Sequence, residues 1–158
     1  MKLNALMTTG LAAALALTLA ACGGGGDSAA SDVPTLRRGI SAKVDTLDPN
    51  KSSAQWENII IGDMIIGLTT DGPDGRPVLG MADSYEVSED GLVWTFTLGD
   101  HVWSDGTPVT AGDFVYSLRR IQNPETASQY ASLLWLIKNA QKVSSQELPP
   151  EELGVKAI

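Results

Sequence analysis

Cysteine is nearly absent from this sequence: Cys22 stands alone in 158 residues. No internal disulfide can form, and no cysteine-based metal cluster can be built. Histidine is as scarce. His101 is single, so a nucleophilic triad would have to be assembled on that one imidazole. It lies beside Asp100 and near Ser104 in a turn-rich stretch, without a Gly-x-Ser-x-Gly elbow, and we expect a surface histidine. No set of His, Cys and carboxylate residues has the spacing of a zinc centre. Positive charge is in deficit, with 11 Lys and Arg against 19 Asp and Glu and a formal net charge of −8. That balance argues against a nucleic-acid partner and favours solubility. The carboxylates are scattered through turns and caps. Asp48, Asp105 and Asp113 each have a local backbone role open to them, so no acid–base pair is indicated. The chain is not expected to be an enzyme, and no cofactor is implied.

Long apolar runs are also missing, with one short exception. After Met1-Lys2, the stretch from Ala5 to Leu19 is rich in Ala and Leu and carries no charge. It is shorter than the ~20 apolar residues a membrane span requires and has the size of a signal-peptide core. Leu19-Ala20-Ala21-Cys22 closes it and resembles the lipobox of bacterial lipoproteins. There, small residues admit the peptidase and the cysteine thiol takes the lipid. Residues 1–22 are therefore expected to be a lipoprotein signal peptide, with Cys22 the lipidated residue. Acyl chains at Cys22 would hold the protein at a membrane surface outside the cytoplasm, periplasmic or at the cell surface. The Gly- and Ser-rich residues 23–32 offer nothing to a core and read as a flexible tether. A phosphate loop is the rival reading, but no strand precedes the glycines and no Lys-Ser/Thr follows.

Beyond the tether the chain is built like a globular domain, 43% hydrophobic and 19% charged. A first strand is expected over Thr35–Ile40, then a turn at Leu47–Asn50. A helix is expected from Gln55, capped by Ser52 or Ser53, with Trp56, Ile59, Ile60, Met64 and Gly67 on one face. Leu68–Thr70 is read as extended, and Asp71-Gly72-Pro73-Asp74-Gly75 as a turn. Ser84–Val87 and Leu92–Leu98 form a hairpin around Ser88–Gly91, its aromatics assigned to core packing. Ser104–Pro108 is a turn. Thr110 opens the next helix, with Asp113 completing a capping-box-like pair and Phe114, Val115, Leu118 and Ile121 as the buried stripe. Arg119 and Arg120 suit its C-terminal dipole, and Asn123-Pro124 ends it. A further helix is expected from about Thr126 to Lys142, with Tyr130, Leu133, Leu134, Ile137 and Gln141 on one side. Glu147–Glu152 is read as a surface loop. Leu153–Ile158 is read as the approach to a strand in a chain that continues.

The segment Trp103-Ser104-Asp105-Gly106-Thr107-Pro108-Val109-Thr110-Ala111-Gly112-Asp113-Phe114-Val115-Tyr116-Ser117 resembles the signature of the extracellular solute-binding family that includes the oligopeptide- and dipeptide-binding proteins of ATP-driven importers. Leu47-Asp48-Pro49 resembles that family's early turn. Ala82–Glu86 followed by Trp94–Leu98 resembles its hairpin. Asn123–Ser132 and Leu153–Ile158 look like its oligopeptide-binding branch. The resemblance runs from about Thr35 to Ile158.

The resemblance implies an α/β, periplasmic-binding-protein-like (type II) two-lobed fold that clamps an extended peptide. Only part of the first lobe and its small subdomain would be present, with residues 33–70 beginning the main lobe and 71–158 forming most of the subdomain. The implied partners are an oligopeptide ligand and the permease subunits of an ABC importer, with the membrane reached through the N-terminal lipid. In such a cleft the ligand backbone is held much as an added strand is. Two parts of the sequence match positions that would face it: Tyr130, which fits the family motif residue for residue, and the loop Ser53-Ala54-Gln55, placed by position alone. The loop's residue types differ from those usual in the branch. Met64-Ile65-Ile66-Gly67-Leu68 departs from the family's Phe-Glu-Gly-Leu. A same-fold binder of another solute, such as a nickel chelate, oligosaccharide or opine, is the alternative; a secreted hydrolase is the more distant one.

Overall fold

The computed structural model describes residues 35–158. The signal peptide, Cys22 and the tether expected from the sequence lie outside the described residues. The elements below belong to the unit formed by Ile40–Ile158. Helix α1 spans Gln55–Met64, strands β1 and β2 span Thr69–Asp71 and Pro77–Leu79, and β3 and β4 span Ala82–Val87 and Trp94–Leu98. Helix α2 spans Ala111–Gln122 and α3 spans Ala140–Ser144. Short 3-10 turns occupy Pro124–Thr126, Ala131–Leu134 and Pro150–Glu152.

The strands make two antiparallel hairpins, β1 with β2 and β3 with β4. The first turns through Gly72–Arg76, where Gly75 adopts φ 74° and Arg76 N–H donates to Asp74 Oδ1 at 3.1 Å. The second turns at Ser88–Gly91, with Gly91 at φ 73°, a left-handed value that favours glycine. Asp90 fastens that turn by accepting from Ser88 Oγ at 2.6 Å and Leu92 N–H at 3.1 Å. Register pairs Tyr85 with Phe96 and Val87 with Trp94, which places these four on one face. Tyr85 stacks on Trp94 at 5.5 Å and meets Phe96 at 6.0 Å. The face is not a core, however. Tyr85 is 50% and Trp94 56% exposed, because no other element covers it among the described residues.

The core lies elsewhere. Ala140, Val143 and Leu153 are buried, with Leu118, Ile137, Leu148 and Val155 packed around them. It joins the C-terminal half of α2 to α3 and the residues after the last 3-10 turn, and Gly154 N–H closes it by donating to Lys138 O at 2.8 Å. Helix α2 begins as its sequence requires. Thr110 is the N-cap, and Asp113 reaches back to accept from Thr110 N–H at 2.7 Å and from its hydroxyl at 3.0 Å. These bonds hold the Asp113 carboxyl below the usual range, the backbone N–H contributing most.

Other expectations meet local limits. Thr35–Ile40 belongs to no strand, since a strand needs a ladder partner and propensity does not supply one. The helix expected over 126–142 is broken into a 3-10 turn and the short α3, because Ala127 (φ 54°) and Asn139 (φ 67°) take left-handed conformations that a helix cannot pass through. Leu153–Ile158, the expected approach to a strand, has no strand of its own among the described residues, and Leu153 is buried in the core. The helix at Gln55 forms as expected, except that Gly67 lies beyond its end; Met64 is 63% exposed, and the buried residue of α1 is Glu57. His101 also departs from a free surface position. It is half-buried, and its Nε2 is enclosed with no hydrogen-bond partner.

Candidate functional site

Helix α2 carries two segments that the sequence keeps far apart. The first is the loop 45–54, which coils around Glu57. The Glu57 carboxylate is buried and accepts from Asp45 N–H at 2.9 Å, Thr46 N–H at 3.0 Å, Ser52 Oγ at 3.1 Å and Ala54 N–H at 3.4 Å. A buried carboxylate is tolerable when its lone pairs are filled this way. The Thr46 and Asp45 N–H groups hold its pKa below the usual carboxylate range. Neither Ser52 nor Ser53 caps α1. Ala54 is the N-cap residue, and the Glu57 side chain reaches back to its N–H. Ser52 Oγ is drawn away, lying 2.7 Å from Asn58 Oδ1.

The loop is pinned to α2 at two points. Asp48 and Arg120 form a two-pronged ion pair, Nη1 to Oδ1 at 2.7 Å and Nη2 to Oδ2 at 2.5 Å. This bidentate geometry is the strong form of the carboxylate–guanidinium pair. The Arg120 hydrogen bond is the chief cause that depresses the Asp48 pKa to about 2. One turn of helix away, buried Asn50 donates to Ser117 O at 3.2 Å and accepts from Ser117 Oγ at 3.3 Å.

The second segment follows α2. Asn123 Oδ1 accepts from Glu125 N–H at 3.0 Å and starts the 3-10 turn at Pro124. The left-handed Ala127 then redirects the chain. Gln122, 1% exposed, fixes where the chain returns: its amide donates to Ala131 O at 2.9 Å and accepts from Ser144 Oγ at 2.6 Å. Tyr130 is thereby held beside the first segment. Its hydroxyl donates to Ser53 O at 3.1 Å across 77 residues of sequence.

The structure therefore brings together Tyr130 and the loop Ser53-Ala54-Gln55. Tyr130 is 43% exposed, Ser53 and Ala54 are half-buried and Gln55 is exposed. The group carries no net charge, and its polar atoms are those that backbone amides recognise: a carbonyl, a phenol oxygen and a side-chain amide. Among the described residues no cluster of three or more His, Cys, Asp or Glu is placed to hold a metal ion. Sequence reasoning missed Glu57, Asn50, Gln122 and the Asp48–Arg120 pair, which build the site without facing outward.

Residues 76–157 match the family model of the bacterial extracellular solute-binding proteins, family 5 Middle. The periplasmic oligopeptide-binding protein OppA of Escherichia coli K12 is 43% identical over 152 residues, covering 89% of this chain and 28% of that protein. The dipeptide-binding protein of Lactococcus lactis subsp. cremoris is 36% identical over 94% of this chain and 27% of its own length. Among solved structures, Listeria monocytogenes OppA bound to peptide superposes with TM-score 0.73 at 37% identity, over 75% of this chain and 24% of that one. Haemophilus influenzae OppA in complex with RPPGFSPFR gives 0.68 at 40%, over 71% and 22%. The fold is that of part of a type II periplasmic peptide-binding protein, and the chain spans about a quarter of the length of the relatives it matches.

Proposed function

This chain belongs to the bacterial extracellular solute-binding proteins of family 5, and we propose that the whole protein captures oligopeptides outside the cytoplasmic membrane and delivers them to the permease of an ABC importer. Residues 33–70 begin its main lobe and residues 71–158 make most of the small subdomain of the same lobe. The observation that carries this reading is the hydrogen bond from Tyr130 to Ser53. It joins two segments distant in sequence into one neutral, amide-recognising surface, with Tyr130, Ser53, Ala54 and Gln55 as its ligand-facing residues. A site without charged groups favours what every peptide shares, its backbone, over any one side chain. Capture followed by release suits a Kd near micromolar, about −8 kcal/mol.

The test is calorimetry on the full-length protein with trialanine, with a trisaccharide and with a nickel–histidine chelate. Micromolar binding of the peptide alone is expected. Saturable binding of either of the others without the peptide would replace this reading by the same fold serving another solute.

The protein is anchored by lipid on Cys22. Cys22→Ser is expected to abolish incorporation of labelled palmitate and to move the protein from the membrane fraction to the soluble one. Undiminished labelling of the variant would refute the anchor.

A further inference from the structure

The peptide unit between Ser53 and Ala54 is gripped at both ends. Its carbonyl oxygen accepts from the Tyr130 hydroxyl at 3.1 Å, and its N–H donates to Glu57 Oε2 at 3.4 Å. The two grips have different roots. Glu57 is local, at the start of α1, three residues away. Tyr130 comes from a turn whose own position is set by Gln122 and α2. That turn is itself well held: Tyr130 N–H lies 3.4 Å from Ser128 Oγ, and Tyr130 O accepts from Leu133 N–H at 3.0 Å.

Peptide planes rotate as units, because the C–N bond is stiff and only the flanking φ and ψ are soft. Fixing both the oxygen and the N–H removes that rotation. The N–H grip is the longer of the two, so the hydroxyl is the better-formed restraint.

We infer that Tyr130 is a positioning residue whose hydroxyl latches the Ser53–Ala54 peptide plane and so presets the loop that meets the ligand. The inference rests on the function proposed above and deepens it. The latch also decides what chemistry Tyr130 can offer. The phenol has a single proton, and it is spent on Ser53 O; what remains toward the ligand is an acceptor oxygen and the ring. Tyr130 is thus matched to ligand N–H groups and to apolar surface, and cannot donate to a ligand carbonyl while latched. Preorganisation of this kind raises affinity by removing ordering that binding would otherwise have to supply.

The test uses the full-length protein with trialanine as probe. Tyr130→Phe keeps the ring and removes the latch. The Ala54 amide is expected to exchange with deuterium about tenfold faster in the ligand-free variant, and Kd to rise about three- to tenfold. A second variant replaces Tyr130 by a difluorotyrosine whose phenol ionises near neutral pH. Its Ala54 protection factor, the observed exchange corrected for intrinsic hydroxide catalysis, is expected to fall as the phenol loses its proton, while that of the parent protein stays flat over the same range. A role in packing alone would leave this profile unmoved, since the ring is unchanged in size. Exchange at Ala54 that is equal in the parent and Tyr130→Phe, or a flat profile in the fluorinated variant, overturns the latch. If the parent does not bind trialanine but the exchange changes appear, the latch stands and the proposed ligand fails; the two outcomes are therefore distinguishable.

Discussion

Gln122→Leu is expected to lower the melting temperature by roughly 10–15 °C, the consequence of about 3 kcal/mol lost in a domain of this size. The side chain is 1% exposed, and both ends of its amide are used. Its donor serves Ala131 O and its acceptor serves Ser144 Oγ. Leucine fills nearly the same volume, so the cost is not a cavity. It is the stranding of a carbonyl and a hydroxyl, each worth about 1–3 kcal/mol when a buried polar atom loses its partner. Ser144 retains a 3.4 Å approach from Trp135 Nε1, which softens its share. The effect should reach the site as well, since the Ala131 carbonyl is the point at which the Tyr130 turn is fastened to α2. Peptide affinity is expected to fall along with the melting temperature. Thermal unfolding followed by circular dichroism checks the first expectation. A Gln122→Leu protein melting within two or three degrees of the parent would mean the amide is not structurally engaged.

Gln122 also shows where sequence reasoning stops short. Along α2 the apolar stripe runs through Val115 and Leu118, and the next place on it falls at Gln122. A polar residue in an apolar period was a readable signal, but its partners lie 9 and 22 residues ahead and no local rule names them. Glu57 was harder to see. It stands where the acidic member of a capping box belongs, but Ala54 occupies the cap position that Ser or Thr would have marked. What was legible was what is local: the start of α1, the Thr110–Asp113 cap and the glycine turns of both hairpins. The helix expected beyond Thr126 failed because its 3.6-residue pattern is compatible with two short turns once Ala127 and Asn139 go left-handed. Nothing in an alanine announces that choice. The site itself was named from resemblance, and the bond that joins Tyr130 to Ser53 was not foreseen. The local backbone roles expected of the carboxylates are present: Asp105 accepts from Thr107 N–H at 2.9 Å and Asp113 caps α2. Asp48 does that local work for Asn50 N–H at 3.0 Å and adds a long-range pair.

That pair gives the site an acid limit. Asp48 titrates near 3.9 in an unfolded chain and at about 2 when folded, chiefly because Arg120 hydrogen-bonds its charged form. The folded state therefore binds the proton less readily than the unfolded one. Above about pH 4 the stabilisation is complete; it fades as pH falls from there toward 2, where the folded protein also becomes protonated. The side chains of Arg120 and Asp48 are 31% and 25% exposed, so solvent screens part of the attraction. We therefore expect about 1–2 kcal/mol from the pair at neutral pH, less than the full linkage value. Asp48→Asn should lose that amount at pH 7 and should converge with the parent protein near pH 2. Comparing the two proteins by urea unfolding at several pH values cancels every other titrating group, Glu57 included, because both proteins carry them. A difference that stays constant from pH 7 to pH 2.5 would show that the charge of Asp48 is not what stabilises the loop. The loop would then be held to α2 by Asn50 and Ser117, and the guanidinium of Arg120 would be free to serve another group.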